Sequence, residues 1–440
     1  MHYLWRGLQL LKSDVLVVGS GVGGATVARE LAIRGRKITI VEKGRYHRLG
    51  TERRALRFYS RSFWSLYPGE KSVEGTELIR TIMVGGSSMV TLGNGVRALQ
   101  EDLKRLGIDL EDEFKEAEKE LGVAPLPERL MGERTKMLMK AAEELGYDMK
   151  PMPKFIDFSK CKSCGMCVLG CRYGAKWTSQ KFIGEARRAG AKLITEASVD
   201  KVLYSRGEVK GVRVRSSSGI SEIEAENVVL AAGGIGTPII LQRSGLNNAG
   251  SNLFADLFVN TYGIVKEGSM KDEIGMATII EEFHKKYGFI ISPILDTPLH
   301  MFLYLPFIKK MRAFKRHRTM GLMIKIADDD AGRVNIDGTI HKPVTENDRK
   351  KLNKGEEISR EILLQAGVTP NSFYTTNVRS AHPGGTAGIG RILNSDQESE
   401  INRLFVSDAS VFPKAPGAPP VLTIVALSKT FSKKLVSEYL

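Results

Sequence analysis

"DVLVVGSGVGGATVARELAIRGRKITIVEKG", residues 14–44, decides how this chain is read. Val15 to Val18 form a short apolar run, suited to a strand buried on both faces of a parallel sheet. Glycines follow at Gly19, Gly21 and Gly24. Helix-forming residues run from Ala25 to Ile33, and "KITIVE" (37–42) reads as a second strand. The unit is strand, turn, helix, strand, with G-x-G-x-x-G at the turn. Gly19 permits the tight turn, Gly21 lets the backbone approach a pyrophosphate, and Gly24 lets helix and strand pack closely. The helix N-terminus then faces the phosphates. Glu42, at the end of the second strand, is placed to bind ribose hydroxyls. The motif predicts a dinucleotide and does not by itself distinguish FAD from NAD.

Outward from this unit, residues 101–150 are rich in Glu, Lys, Leu and Ala without Gly-Pro clusters and read as helical. Residues 191–234 alternate apolar and polar side chains between Gly and Ser turns, which reads as a β-meander. It closes on Val228 to Ala231, another candidate buried strand. "LFVSDAS" (404–410) is again strand-like, and residues 419–440 read as an amphipathic helix that begins after a proline pair. At 440 residues, two to three domains are expected.

Five segments now stand in one order. They are "VVGSGVGGATVARELA" (17–32), "VGGSSMVTLGNGVR" (84–97), "LAAGGIGTPIILQRSG" (230–245), "AHPGGTAGIG" (381–390) and "LFVSDASVFPKAPGAPPVLTIVAL" (404–427). Together they resemble the glucose–methanol–choline (GMC) oxidoreductases, FAD-dependent alcohol and sugar oxidases and dehydrogenases. "CxxGCxxGAK" (167–176) is similar to a segment of that family's long-chain alcohol and sterol oxidase branch. The resemblance implies an α/β fold: a Rossmann-like FAD-binding domain assembled from 1–100, 185–259 and 380–440. It also implies a helical segment with a Cys-rich loop at 101–184 and a smaller α+β substrate domain with a β-sheet at 260–379.

The resemblance also implies roles. Gly19, Gly21, Gly24 and Glu42 would hold the ADP half of FAD, with Val199 meeting adenine through its backbone. Gly85, Gly86, Ser87 and Ser88 would lie along the flavin and its phosphates. Ala232, Gly233 and Asp408 fall near the cofactor, Asp408 by the ribityl and pyrophosphate, and Asn94 and Pro420 complete the cofactor set. His382 matches the histidine that faces the flavin, and an imidazole is suited to general-base work near neutral pH. The family places a second His or Asn near the start of the last helix. Pro419 stands there in this chain, without a side-chain donor or an N–H.

All four cysteines lie in "CKSCGMCVLGCRYGAK" (161–176), as Cys161, Cys164, Cys167 and Cys171. Zinc sites usually split two close pairs by a longer spacer, so the run fits zinc poorly. The spacing equals a bacterial ferredoxin run. A [4Fe–4S] cluster is the first expectation, with a three-iron [3Fe–4S] cluster or plain structural thiols as alternatives. The proline that usually follows is replaced by Arg172.

The charged fraction of 26% and the hydrophobic fraction of 42% are those of a globular protein. No run approaches the length of a membrane span, and "MHYLWRGLQLLKSD" lacks a signal-peptide pattern, so a cytoplasmic location is expected. The net charge of +15 fits either a solvated basic surface or an acidic partner. It carries no aromatic-rich RNA-binding motif, so nucleic acid is set aside. The apolar stretch 298–308 runs into the basic stretch 309–318, which suits either peripheral membrane contact at the inner face or a core element with an exposed loop. The expected function is an FAD-dependent dehydrogenase that oxidises an alcohol, long-chain or lipid-like. Its electrons would leave through an iron–sulfur cluster to ferredoxin or a partner subunit. The alternatives are a ferredoxin-driven reductase of a C=O or C=C bond and a non-catalytic electron-transfer subunit.

Overall fold

The computed structural model describes residues 13–51, 53–54, 69–298, 300–301 and 314–440. Most of the stretch 298–318 therefore lies outside the described residues, and so does its expected membrane contact. Among the described residues no helix is long and apolar enough to cross a membrane.

The strand Ser13–Val18 is buried because its side chains are apolar on both faces. It pairs in parallel with Ile38–Val41 on one side and with the end of Gly219–Leu230 on the other. Lys192–Ile194 and Leu404–Val406 extend the parallel layer. The long strand Gly219–Leu230 changes partners along its length. Its first half pairs antiparallel with Glu208–Ser216, which pairs antiparallel with Ala197–Ser205. This is the meander expected over 191–234. Polar residues on its exposed half give way to "NVVL" where the strand enters the core.

The helix Val22–Ala32 covers this sheet, packed against Ser179–Arg188 and the C-terminal helix Val421–Glu438. The C-terminal helix was expected to be amphipathic. Its first turns are instead buried all round, because it is wedged between Val22–Ala32 and Glu111–Leu121. Its polar side chains find partners there. Thr423 bonds the backbone of Ala98, and Lys429 reaches Glu30, Glu116 and Glu120.

A second sheet joins Gly69–Lys71, Glu77–Ile79, Arg379–Ser380, Leu257–Ile264, Thr319–Ile326, Phe289–Pro293, Thr278–Ile280 and Met149–Pro151, in that order. Side chains alternate across it with the period of two that strands impose. Leu257, Val259, Leu322 and Ile324 face the core covered by the helix Glu346–Gln365. Phe258, Tyr262 and Met323 face the opposite core, beside the cavity described next.

Candidate active site

A cavity of about 590 Å³ runs from the glycine turn to the second sheet. Gly19 opens it with φ +104, and a Cβ there would stand 2.3 Å from the Ala231 carbonyl oxygen. The turn therefore requires glycine. Gly21 is different: a Cβ there would meet nothing, so its open side faces the cavity. The helix Val22–Ala32 begins at this turn, and the helix Gly233–Arg243 begins at Ala232. Two helix N-termini thus present backbone N–H groups and positive dipole ends to one space, the arrangement a pyrophosphate needs.

Glu42 is buried at the same turn. One carboxylate oxygen accepts from Ser20 N at 2.9 Å and Ser20 Oγ at 2.6 Å, and the other from Gly44 N at 2.7 Å. Burial raises its pKa, opposed by these hydrogen bonds. Asp408 is likewise buried, and burial raises its pKa. It accepts from Gly233 N, Thr237 Oγ1, Ser410 N and Ser410 Oγ, so it fixes the start of the helix Gly233–Arg243.

The structure brings most of the expected residues together. Gly19, Gly21, Glu42, Val199, Ala232, Gly233 and Asp408 line the cavity toward the first sheet. Gly86, Ser87, Ser88, Asn94, Pro420 and His382 line it toward the second. Gly24 and Gly85 do not line it: Gly24 packs on the Gly19 carbonyl, and Gly85 precedes the turn Gly86–Val90 with φ +96. The shape, the two helix N-termini and the open face at Gly21 fit an extended dinucleotide.

At the far end, His382 Nδ1 lies 2.8 Å from Asp256 Oδ2. Asp256 is fully buried and also accepts from Gly417 N at 2.8 Å. Its backbone is left-handed, with φ +47, a strained conformation for a non-glycine residue. Burial raises Asp256 to about 7, while burial and the nearby Lys325 cation push His382 well below the usual imidazole range. With Nδ1–H donating to the carboxylate, Nε2 carries the free lone pair. The pair can accept a proton at Nε2 and hold the resulting charge beside Asp256. Pro419 also lines the cavity, so the position where a second His or Asn was expected adds no donor.

Sequence reasoning missed Asp256 and the cations Lys325 and Arg379. A signal was present. Asp256 is a lone acid in "NLFADLFVN", and Lys325 a lone base in "TMGLMIKI". A charge inside an apolar strand needs a reason.

The four cysteines come together in the fold. Cys161, Cys164, Cys167 and Cys171 line one small cavity with Ile156, Met166, Tyr173 and Lys176. That cavity is about 10 Å³. Among the described residues no three or more His, Cys, Asp or Glu side chains form a group able to hold a metal ion. Cys167 is buried on the turn Cys167–Leu169, and burial raises the thiol pKa of Cys161 and Cys167.

Comparison with known proteins agrees with the fold. Family models described as GMC oxidoreductase match residues 13–258 and 324–428. An uncharacterized protein of Methanocaldococcus jannaschii is 32% identical over 96% of this chain and 100% of its own length. Long-chain-alcohol oxidase FAO4A of Arabidopsis thaliana is 26% identical over 95% of this chain and 68% of the plant protein. Pyridoxine 4-oxidase from Mesorbium loti superimposes with a TM-score of 0.76 at 17% identity, covering 97% of this chain and all of that one.

Proposed function

Because the chain belongs to the GMC oxidoreductase family, we propose that it oxidises an alcohol with FAD as the bound cofactor. The carrying observation is the His382–Asp256 pair at one end of a cavity whose other end is a dinucleotide turn. FAD, when bound, supplies the acceptor for the hydride removed from the carbinol carbon. Gly19, Gly21, Glu42, Val199 and Asp408 would hold its nucleotide half, and Gly86, Ser87, Ser88, Asn94, Ala232, Gly233 and Pro420 would flank the remainder.

The chain's own residues do the rest. His382 Nε2 takes the hydroxyl proton as the C–H bond breaks. Asp256 holds the imidazole in the tautomer that leaves Nε2 free and stabilises the imidazolium once formed. The apolar wall of Phe258, Met276, Ile294 and Met323 excludes water from the transfer. The net charge of +15 supports an acidic electron carrier such as ferredoxin as the acceptor.

The test is purification with FAD bound, followed by anaerobic flavin reduction with a panel of primary alcohols and no added carrier. Bleaching of the flavin supports the reading. A fully FAD-loaded protein that no alcohol bleaches, but that a reduced carrier does, turns it into a reductase. A second reading keeps an iron–sulfur centre in the cysteine loop. It is favoured by the convergence of all four cysteines on one cavity beside Lys176, whose ammonium reaches the carbonyls of Cys167, Met89 and Thr91. Iron and acid-labile sulfide analysis of anaerobically purified protein decides it, since absence of both removes the centre.

A further inference from the structure

The second sheet carries a row of three residues in direct register: Lys325 pairs with Phe258, and Phe258 pairs with Arg379. All three line the cavity. The two cations flank the ring, each 5.1 Å from its centroid. Lys325 and Arg379 are each 3% exposed, so both charges have been taken out of water.

The two cations are balanced differently. Arg379 pairs with Asp296 at 3.2 Å, and Asp296 is itself anchored by Tyr262 and Asn260. Lys325 has no such acid. The carboxylates of Asp256 and Asp328 balance its charge through space without bonding to it. Asp256 is given to His382 and Gly417 N. Asp328 is given to Lys342 Nζ at 2.8 Å and to Ala255 N. Among the described residues Lys325 makes the cation–π contact with Phe258 but no hydrogen bond or ion pair. Burying an ammonium without a hydrogen-bonded counter-ion is costly, and an apolar side chain of similar length would fill this place without that cost. The charge therefore serves something that enters the cavity.

We infer that the alcohol taken by this cavity carries a carboxylate, and that Lys325 binds it beside His382. This rests on the alcohol-oxidising reading above and names its substrate class as a hydroxy acid. The ammonium lines the cavity without a hydrogen-bond acceptor, and a carboxylate oxygen is the charged acceptor it lacks. A phosphate dianion would leave charge unmatched, because Arg379 is already committed to Asp296. The Phe258 face beside the ammonium, and Met323 in the same cavity wall, leave the anion few competing waters, which strengthens the charge-assisted bond.

The experiment uses the purified flavoprotein and the non-oxidisable carboxylates acetate, propionate and butyrate, titrated while the flavin absorbance spectrum is followed. The wild type is expected to show a saturable perturbation. K325M is expected to weaken that binding by about tenfold or more, the size of a charge-assisted hydrogen bond. K325R, which keeps the charge, is expected to retain it. A second readout needs no variant: glycolate, 3-hydroxypropionate and 4-hydroxybutyrate are compared with 1-butanol as reductants of the wild-type flavin. At least one acid should exceed 1-butanol in kcat/KM by about tenfold, the same margin. The inference is overturned by FAD-loaded wild type that ignores the carboxylates and prefers 1-butanol, or by K325M that binds them as the wild type does. A preparation that contains no FAD, or that neither alcohols nor hydroxy acids bleach, instead overturns the proposed function.

Discussion

Asp256→Asn tests the centre of the proposed chemistry. The carboxylate lies 2.8 Å from His382 Nδ1, is fully buried, and faces the imidazolium that forms when Nε2 takes the substrate proton. Charge centres about 4 Å apart at an effective dielectric of about 20 attract by about 4 kcal/mol. Asparagine removes that attraction from the transition state, so flavin reduction should slow by about a thousandfold. Asparagine can also present its Nδ2 to Nδ1 and stabilise the wrong tautomer, which acts in the same direction. The fold should persist, because the asparagine oxygen can still accept from Gly417 N–H, as Asp256 does at 2.8 Å. The assay is anaerobic stopped-flow reduction of bound flavin at saturating substrate, with FAD content measured on the same sample. A variant that keeps its FAD and reduces it within about tenfold of the wild-type rate, well short of the Coulomb figure, refutes the role given to Asp256.

Three further outcomes follow from the same geometry. The Asp256–His382 pair takes up a proton as a unit, and Asp256 is raised to about 7, so flavin reduction should fall as pH drops through about 7, and a flat profile from pH 5 to 8 would contradict it. Because the raised carboxylate binds more protons folded than unfolded between about 4 and 7, its contribution to stability is lost as pH rises through that window; chemical denaturation of wild type against Asp256→Asn should show the variant's pH slope flattened. Gly23→Ala places a Cβ 1.8 Å from the Ser407 carbonyl oxygen, forcing the helix Val22–Ala32 away from Asp408; overpacking of about 1–3 kcal/mol is expected, read as lost FAD occupancy after gel filtration. Lys429→Met removes the fully buried cation shared by Glu30, Glu116 and Glu120, while Arg29 and Arg34 still hold Glu30, and should cost about 1.5–3 kcal/mol in denaturant unfolding.

What was legible in the sequence was what a local rule controls. The turn at Gly19 needs a left-handed backbone, and the strand Ser13–Val18 needs apolar residues on both faces, so both are written into residues 14–44. His382 was legible because its neighbours form a motif. Asp256 was not, because its partner lies 126 positions away and only the pairing of Leu257–Ile264 with Arg379–Ser380 brings the two together. Lys325 was hidden for the same reason, since cross-strand register decides that it flanks Phe258. The cysteine run is legible only as a spacing. Its spacing satisfies a local rule, yet the loop folds with the thiols around a space of about 10 Å³.

Pro419 ties these points together. A proline at the position where a His or Asn was expected leaves His382 without a second polar group from the last helix. The charged groups at that end of the cavity come instead from the second sheet, as Asp256 behind His382 and Lys325 in front of Phe258. The helix Val421–Glu438 starts at Pro420 with no side-chain cap, so its free N–H groups and positive dipole end still face the cavity. Proton acceptance and substrate charge recognition are thereby assigned to the sheet, and the helix retains only a diffuse positive field. Moving recognition to a sheet residue would explain how a buried lysine without a hydrogen-bonded acid is tolerated in this chain. The acceptor its ammonium lacks is the substrate's own, so K325M should change which alcohols are taken more than it changes how tightly FAD is held.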